Sequence, residues 1–213
     1  MMTISLTDAL KELPLVAILR GVTPEEVIAI ADVLVAAGYR VIEVPLNSPN
    51  PYESIKRLSE KYGESVVIGA GTVVSKEQVD LVKEAGGRII ISPHADIDII
   101  QYSKKLSLYS VPGFLNPTEA YAAINAGADS LKLFPADTVG PKGLKAMSVV
   151  LPKEMPILPV GGVSPSTMKA FLDAGASGFG LGSGLYKAGM SAEQTKQNAL
   201  SYVEGYQAAV NIH

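Results

Sequence analysis

The chain has 213 residues, of which 47% are hydrophobic and 18% are charged, and its formal net charge is −3. The absence of a basic run argues against nucleic acid as the main partner, and the absence of cysteine excludes disulfides and thiolate metal sites. The first residues lack the apolar core and cleavage site of a signal peptide, and no apolar run approaches the roughly 18 residues of a membrane span. We therefore expect a cytoplasmic protein with a large buried core.

Short apolar runs typical of strands alternate with helical patterns along the whole chain. A short helix near residues 8–13 comes first, and the strand candidates then cover residues 15–20, 41–46, 66–73, 88–93, 107–113, 130–135, 156–162 and 178–183. Helix-period segments fill the gaps, most of them opening on Ser, Thr or Asn, and a final helix covers residues 191–209. Asn116, Pro117 and Glu119 match an N-cap, a first-turn proline and a capping-box partner.

Strict alternation of strands and helices predicts parallel strands joined by right-handed crossovers. Eight such units predict an α/β fold of the (β/α)₈ TIM-barrel type, with the short N-terminal extra helix covering the bottom of the barrel. A doubly wound open sheet is the alternative. The sequence contains no linker or low-complexity tract, so we expect a single barrel domain over residues 1–213.

Three charged residues interrupt otherwise apolar strands. Side chains alternate between the two faces of a strand. Lys132 therefore points to the face opposite to that of Leu131 and Leu133, and Glu43 points to the face opposite to that of its own apolar neighbours. If those neighbours pack against the helices, Lys132 and Glu43 both point into the barrel. Arg20 ends the first strand candidate, and active sites of such barrels lie at the carboxyl ends of the strands.

A buried and unpaired charge costs several kcal/mol, so such a group is paired or neutralised. One interpretation is therefore a structural ion pair between Glu43 and Lys132. The other is catalytic: burial and the neighbouring cation of Arg20 lower the pKa of Lys132, and a neutral amine attacks a ketone to form a Schiff base. Glu43 then serves as general acid and base, directly or through one water. An iminium withdraws electrons from the adjacent carbon–carbon bond, which is the chemistry of a metal-free aldolase.

Arg20 and Thr72 are the candidates for binding a substrate carboxylate. Arg20 offers a planar fork of donors, and Thr72 places a hydroxyl at the top of the third strand. A surface salt bridge for Arg20 and a capping or loop role for Thr72 are the alternatives.

Glycine pairs follow the seventh and eighth strands, where barrels often bind phosphate through backbone N–H groups. Gly161, Gly162, Gly182 and Ser183 are the residues that we expect to bind it; tight turn geometry alone is the alternative. The glycines at 69 and 71 lack a dinucleotide-binding context and indicate close packing.

The two histidines do not suggest a metal site. His94 follows the fourth strand, where it either lines the mouth of the barrel or lies in solvent, and His213 is terminal. Without an acidic cluster beside them, zinc or iron is not expected. Magnesium held by scattered carboxylates stays open, but Schiff-base chemistry does not need it.

The motifs on the eight strands resemble a known family. In chain order they are PLVAILRG, IEVPLNSP, IGAGTV, ISP, VPG, ADSLKLFPA, LPVGGVSP and GLGSGLY. They are similar to the motifs of the class I 2-keto-3-deoxy-6-phosphogluconate and -galactonate aldolases, and the resemblance covers about residues 13–210.

The resemblance implies a role for each of the residues singled out above. Lys132 would form the Schiff base, and Glu43 would be the general acid and base. Arg20 and Thr72 would hold the pyruvyl carboxylate, and the glycine loops would hold the phosphate. It also implies a homotrimer that needs no metal and no cofactor.

Two departures from the gluconate type favour the galactonate type. Asn47 stands where the gluconate type commonly has Arg and Thr, and Val160 stands where it commonly has Thr. A hydroxyl at position 160 could sense the C4 configuration of the substrate through one hydrogen bond. Two further departures, His94 and the bulky Phe114–Leu115 segment, could reshape the mouth and change which aldehyde is accepted.

The leading hypothesis is therefore an aldolase that cleaves 2-dehydro-3-deoxy-6-phosphogalactonate to pyruvate and D-glyceraldehyde 3-phosphate. The gluconate epimer and 4-hydroxy-2-oxoglutarate are alternative substrates. A hypothesis of another class is a phosphate-binding isomerase or sugar-phosphate sensor, in which Lys132 only pairs with Glu43.

Overall fold

The computed structural model describes residues 3–211, and within them nine strands form two parallel sheets. The strands are β1 (Leu15–Ile18), β2 (Val41–Pro45), β3 (Val67–Gly71), β4 (Ile89–Ile91), β5 (Tyr109–Val111), β6 (Gly113–Phe114), β7 (Leu131–Leu133), β8 (Ile157–Pro159) and β9 (Phe179–Leu181). One sheet has the order β5-β4-β3-β2-β1-β9, and the other has the order β6-β7-β8.

The two sheets meet on both sides and curl into the predicted α/β barrel. On one side β5 continues into β6 across the single residue Pro112. On the other side Val160 and Gly180 form an isolated parallel bridge, and the amide of Ser177 donates to the carbonyl of Ile157 at 2.8 Å. The alternative of an open doubly wound sheet does not match this strand order.

One helix precedes the first strand, and the other helices surround the outside of the barrel. They are α1 (Leu6–Glu12), α2 (Val27–Ala36), α3 (Pro51–Tyr62), α4 (Lys76–Glu84), α5 (Ile97–Lys105), α6 (Pro117–Asn125), α7 (Ala136–Ser148), α8 (Met168–Asp173) and α9 (Ala192–Val210). Side chains of Ser5, Ser75, Asp96, Asn116 and Ser191 cap five of them by accepting backbone N–H bonds. The predicted N-cap at Asn116 and first-turn proline at Pro117 are confirmed, whereas the carboxylate of Glu119 accepts from the N–H of Leu115 and not from that of Asn116.

Alternation along the strands creates two apolar layers. Outward residues such as Ile42, Val44, Leu131 and Leu133 join the cluster between sheet and helices. Inward residues of the strands, including Val16, Val41, Val67, Ile89, Ile91, Val111 and Leu158, join a second cluster with Leu6 and Ala9 of α1. The short N-terminal helix therefore covers the bottom of the barrel, as predicted, although it begins at Leu6 rather than at residue 8.

Two predicted elements differ from the observed ones. The fifth strand candidate, residues 107–113, is split into β5 and β6, because Pro112 has no N–H for the ladder. The helix-period segment between the sixth and seventh strand candidates is α7, which begins at Ala136 and is interrupted at Gly140, with φ 65° and ψ 171°. The part after Gly140 has Pro141 in its first turn.

The strands also end earlier than the apolar runs suggest. Arg20, Thr72 and Phe134 all lie just beyond the last residue of their strands, which places them on the rim at the carboxyl ends. No helix within residues 3–211 is long and apolar enough to cross a membrane. His213, which the sequence indicates to be terminal and frayed, lies outside the described residues.

Candidate active site

Lys132 points into the barrel from the middle of β7. Its neighbours Leu131 and Leu133 pack against the helices, so the lysine takes the opposite face and is only 6% exposed. Its ammonium nitrogen lies 4.6 Å from the centre of the Phe134 ring. Burial lowers the pKa of Lys132, the charge of Glu43 opposes this effect, and the cation of Arg20 adds to it.

Glu43 points inward from β2 for the same reason and is 2% exposed. Its carboxylate lies directly against the Cα of Gly71, where any Cβ would overlap with it. The atom Oε2 is buried and has no hydrogen-bond partner. Burial raises the pKa of Glu43 to about 7, although the charges of Lys132 and Arg20 act in the opposite direction. A carboxyl group with this pKa can both donate and accept a proton near neutral pH.

Lys132 and Glu43 line one narrow cavity. Its volume is about 10 Å³, close to what one water molecule needs. Besides Glu43 and Lys132, it is lined by Val16, Ile18, Ile91, Val111, Leu158, Val160 and Gly180. The ion pairs within 4 Å among the described residues do not include Glu43 with Lys132, so the structural ion pair is not formed. The two side chains are separated, and burial affects their pKa values more than their mutual attraction does.

Arg20, Asn47 and Thr72 form a cluster on the rim above this cavity. One guanidinium nitrogen of Arg20 donates to Oδ1 of Asn47, and the other lies 3.5 Å from Oγ1 of Thr72. The same salt bridges within 4 Å do not involve Arg20. The guanidinium therefore has no carboxylate partner in this part of the structure, and the surface salt bridge considered from sequence is not formed.

Local backbone structure holds this cluster in place. The amide of Gly21 donates to Oγ of Ser48 at 2.9 Å, which ties the segment after Arg20 to the segment after Asn47. Thr72 has φ 61°, a left-handed conformation that β-branched residues rarely adopt. Backbone strain of this kind is typical of functional sites.

The two glycine loops after β8 and β9 present unpartnered backbone donors. The N–H groups of Gly161, Gly162, Gly182 and Ser183 make no backbone hydrogen bond to any described residue. Gly161 and Gly162 have φ of 104° and 68°, which favour glycine. Gly182 has no other atom within 4 Å of where its Cβ would lie. The loops can therefore approach an anion closely and bind it with main-chain N–H groups.

The remaining candidates lie around the mouth. Val160 is 9% exposed and lines the cavity beside Lys132, whereas Asn47 contacts Arg20. His94 lies 3.8 Å from the carboxylate of Asp96. Together with Phe114, Leu115 and Phe134, it borders a separate surface cavity of about 290 Å³. No three His, Asp or Glu side chains of residues 3–211 converge as metal ligands. The prediction of a reaction without metal or cofactor stays a prediction.

Sequence reasoning missed two close neighbours of the site. The sequence predicts Phe134 as part of an apolar strand, but in the structure it lies on the rim beside Lys132. Gly71 was correctly expected to allow close packing, yet its packing partner, the carboxylate of Glu43, comes from a different strand. Strand pairing of β2 with β3 places Glu43 next to Gly69 in register and its carboxylate beside Gly71, and a single sequence carries no signal for that register.

Carbon–carbon lyase chemistry of the aldolase class fits this parallel barrel, because its buried inward lysine has a lowered pKa and shares a cavity with a carboxyl group of raised pKa. The model of the KDPG and KHG aldolase family matches residues 6–200. The chain belongs to this family.

Known relatives agree with this assignment. The chain is 42% identical to the 2-dehydro-3-deoxy-6-phosphogalactonate aldolase of Escherichia coli K12 over 93% of its own length and 97% of the relative. It superimposes with a TM-score of 0.93 on a solved native KDPGal structure, at 40% identity and full coverage of both chains. It also resembles the KDPG aldolase of Legionella pneumophila, solved with pyruvate as a covalent carbinolamine, at 25% identity and a TM-score of 0.79, covering 95% of this chain and 96% of that one.

Proposed function

We propose that the protein is a class I aldolase that cleaves 2-dehydro-3-deoxy-6-phosphogalactonate to pyruvate and D-glyceraldehyde 3-phosphate. The observation that carries the proposal is Lys132, which is 6% exposed, has a lowered pKa and shares one cavity with Glu43. The name of the Escherichia coli relative supports the choice of substrate. Residues 1–213 would act as one barrel domain.

The first half of the reaction forms the Schiff base. The neutral amine of Lys132 attacks C2 of the substrate and gives a carbinolamine. Protonated Glu43 donates its proton to the C2 hydroxyl, which leaves as water, and the C2–N bond becomes an iminium. A carboxyl pKa of about 7 supports this step, since a large fraction of Glu43 is protonated near neutral pH.

The second half breaks the carbon–carbon bond. The carboxylate of Glu43 accepts the proton of the C4 hydroxyl, directly or through one water, and a C4–O double bond forms. The C3–C4 bond breaks, and its electron pair moves into the iminium to give an enamine. Glu43 returns the proton to C3, which gives the pyruvyl iminium. Water then hydrolyses this iminium to pyruvate and free Lys132, and the proton released in this step returns to Glu43. Protons and electrons balance over the cycle without a metal or cofactor.

The rim residues orient the substrate in this proposal. Arg20 and Thr72 bind the carboxylate next to C2, where the guanidinium offers donors without a carboxylate partner of its own. The N–H groups of Gly161, Gly162, Gly182 and Ser183 bind the phosphate at the other end. Holding both ends places C2 beside Lys132, which converts attack into an effectively intramolecular step.

Trapping with borohydride tests the lysine chemistry. The protein is incubated with pyruvate, reduced with borohydride and mapped by mass spectrometry, and we expect one adduct, at Lys132. Lys104, a surface lysine paired with Asp129 at 2.6 Å, serves as the internal control and should stay unmodified. Unmodified Lys132 in the treated protein would sink the Schiff-base mechanism and favour the sensor or isomerase hypothesis.

Val160 supports the galactonate epimer over the gluconate epimer as substrate. Its side chain lines the cavity and cannot donate a hydrogen bond, so this position lacks the threonine hydroxyl that is common in the gluconate type and could select that C4 configuration. We expect Val160→Thr to shift the ratio of kcat/KM toward the gluconate epimer by about 10-fold. Steady-state kinetics with both epimers and with 4-hydroxy-2-oxoglutarate measure this, and an unchanged ratio contradicts the role of Val160.

We also propose a cytoplasmic homotrimer. The resemblance to the family supports the trimer, and several large apolar side chains are exposed on the single chain, with Val149 at 78%. Analytical ultracentrifugation gives the mass directly, and a monomer at micromolar concentration would contradict the proposal.

A further inference from the structure

Tyr202 of α9 contacts the residues that directly follow the two glycine loops. Its side chain is 5% exposed, and its hydroxyl donates to the carbonyl of Val163 at 3.0 Å. The same hydroxyl lies so close to Gly184 that a Cβ at that position would overlap with it. Val163 directly follows Gly162, and Gly184 directly follows Ser183. One buried side chain therefore touches the segment after each loop.

The position of these loops matters because the donors that we propose for the anion are main-chain N–H groups of Gly161, Gly162, Gly182 and Ser183. Binding by backbone N–H groups depends on where the backbone lies. Asp137 lies beside the first loop, with its Cβ only 2.7 Å from where a Cβ on Gly162 would be placed. Asp137 therefore leaves no room for a side chain at Gly162, and Tyr202 holds the residue after Gly162 through its hydrogen bond to the carbonyl of Val163.

Other contacts of α9 are consistent with a supporting role of this helix. Gly205 packs against Pro165, where a Cβ would come within 2.6 Å of the proline side chain. The side-chain amide nitrogen Nδ2 of Asn198 donates to the backbone carbonyl of Leu185 at 3.1 Å. The first contact holds the β8 loop and the second holds the β9 loop, whereas Tyr202 joins the two.

We propose that Tyr202 is a positioning residue that sets the distance between the two glycine loops and thereby the affinity for the phosphate group of the substrate. The inference rests on the proposed function, because it assumes that the loops bind this phosphate. Tyr202 does not face the Lys132 cavity and acts through the backbone of Val163 and Gly184.

Tyr202→Phe removes the hydroxyl and keeps the ring. We expect KM for the phosphorylated substrate and the inhibition constant of inorganic phosphate to rise about 5-fold, which corresponds to one lost hydrogen bond. The turnover number kcat and the rate of borohydride trapping with pyruvate, which has no phosphate, should change less than about twofold. Tyr206→Phe is the matched control, since Tyr206 lies one turn later on α9 and its hydroxyl makes no hydrogen bond to a described residue.

A double-mutant cycle with Gly184→Ala tests the contact itself. In the wild-type background the new methyl group meets the Tyr202 hydroxyl, and we expect KM to rise about 10-fold. In the Tyr202→Phe background, the ring atom nearest to the new methyl group of residue 184 lies 3.2 Å from it. Adding Gly184→Ala to this background should therefore raise KM only about twofold further. Additive effects of the two substitutions would overturn the proposal, because independent sites add.

The remaining outcomes separate this inference from the proposed function. If wild-type protein is not inhibited by inorganic phosphate, the phosphate site itself is wrong. If wild type is inhibited and Tyr202→Phe behaves like wild type, the loops bind phosphate and the positioning role of Tyr202 is wrong. If trapping with pyruvate slows as much as KM rises, Tyr202 serves general stability, and the positioning role is again wrong.

Discussion

Thr72 combines a β-branched side chain with a backbone φ of 61°. Such a residue costs roughly 1–3 kcal/mol relative to a relaxed backbone. Its hydroxyl lies 3.5 Å from the guanidinium of Arg20, at the carboxyl end of β3. The strained turn thus directs the hydroxyl toward the residue that we propose to bind the substrate carboxylate.

Replacing Thr72 should separate stability from binding. We expect Thr72→Gly to raise the free energy of unfolding by about 1 kcal/mol, because glycine adopts this φ without strain. It should also raise KM severalfold through loss of the hydroxyl. Thr72→Ser is the matched control, since it keeps the hydroxyl and should keep KM. Urea unfolding and steady-state kinetics measure both effects, and a destabilised Thr72→Gly variant would contradict the strain.

Glu43 also lowers the stability of the folded protein, in this case because its carboxyl group is buried. Burial raises its pKa from 4.5 to about 7, so the folded state binds this proton more tightly than the unfolded state. Below about pH 4.5 the carboxyl group is protonated in both states and causes no loss of stability. As the pH rises from 4.5 to 7, the unfolded state releases the proton first, and the free energy of unfolding falls by up to about 3 kcal/mol.

We therefore expect Glu43→Gln to be more stable than wild type at pH 8 by up to about 3 kcal/mol, and equally stable near pH 4.5. Its kcat should fall about 10²- to 10⁴-fold, because proton transfer is lost. Glu60→Gln, an exposed helix substitution with a weak ion pair, should show no such dependence on pH. Urea unfolding at several pH values decides the point: an equal stability difference at pH 5 and pH 8 would show that the pKa of Glu43 is not raised.

At the scale of elements, the two glycine loops differ in the backbone conformation and in the free space at their glycines. Gly162 needs a left-handed φ of 68° and has Asp137 close to it. Gly182 has no positive φ and open space where a Cβ would lie. Backbone geometry accounts for the first glycine, whereas for Gly182 we propose that the absence of a side chain lets the phosphate approach the backbone closely.

Alanine substitutions should distinguish these reasons. We expect Gly162→Ala to lower the free energy of unfolding by about 1–2 kcal/mol, the usual cost of a left-handed residue with a Cβ. Gly182→Ala should melt like wild type and yet raise KM for the phosphorylated substrate severalfold. Calorimetry and kinetics on the two variants test this. Unchanged KM in Gly182→Ala would place the phosphate elsewhere.

The element scale also shows where reasoning from sequence succeeds. The pattern of Lys132 between Leu131 and Leu133 predicts an inward lysine, because a strand has a period of two and its outward face must be apolar. Helix ends at Asn116 and Ser191 follow from side chains that accept backbone N–H bonds. The split at Pro112 and the break at Gly140 were not predicted, although both residues are known to interrupt regular structure.

At the scale of the whole molecule, the two ends of the barrel differ in composition: apolar packing fills the bottom, and the proposed site lies at the top. The bottom is filled by apolar side chains and covered by α1, whose Leu6 is 3% exposed. The proposed site residues Lys132, Glu43, Arg20 and Thr72 lie at or near the top. This division predicts that the bottom can be weakened without loss of catalysis.

Leu6→Ala tests the division. We expect a loss of about 2–4 kcal/mol in the free energy of unfolding, as is usual for a buried leucine, with KM and kcat unchanged below the melting temperature. Leu200→Ala, at a leucine that is 41% exposed, should cost much less. A large change in KM for Leu6→Ala would mean that the two ends of the barrel are coupled.

The sequence by itself determined the eight-unit alternation, the inward direction of Lys132 and Glu43, the glycine loops and the family resemblance. These features are local, since they depend on the spacing of side chains along one segment and on motifs within it. Only the tertiary structure decided that Glu43 rests on Gly71, that Arg20 reaches Asn47 and Thr72, and that Tyr202 touches both loops. Each of these contacts joins residues that are distant in the chain, and strand register, barrel curvature and helix packing determine them together.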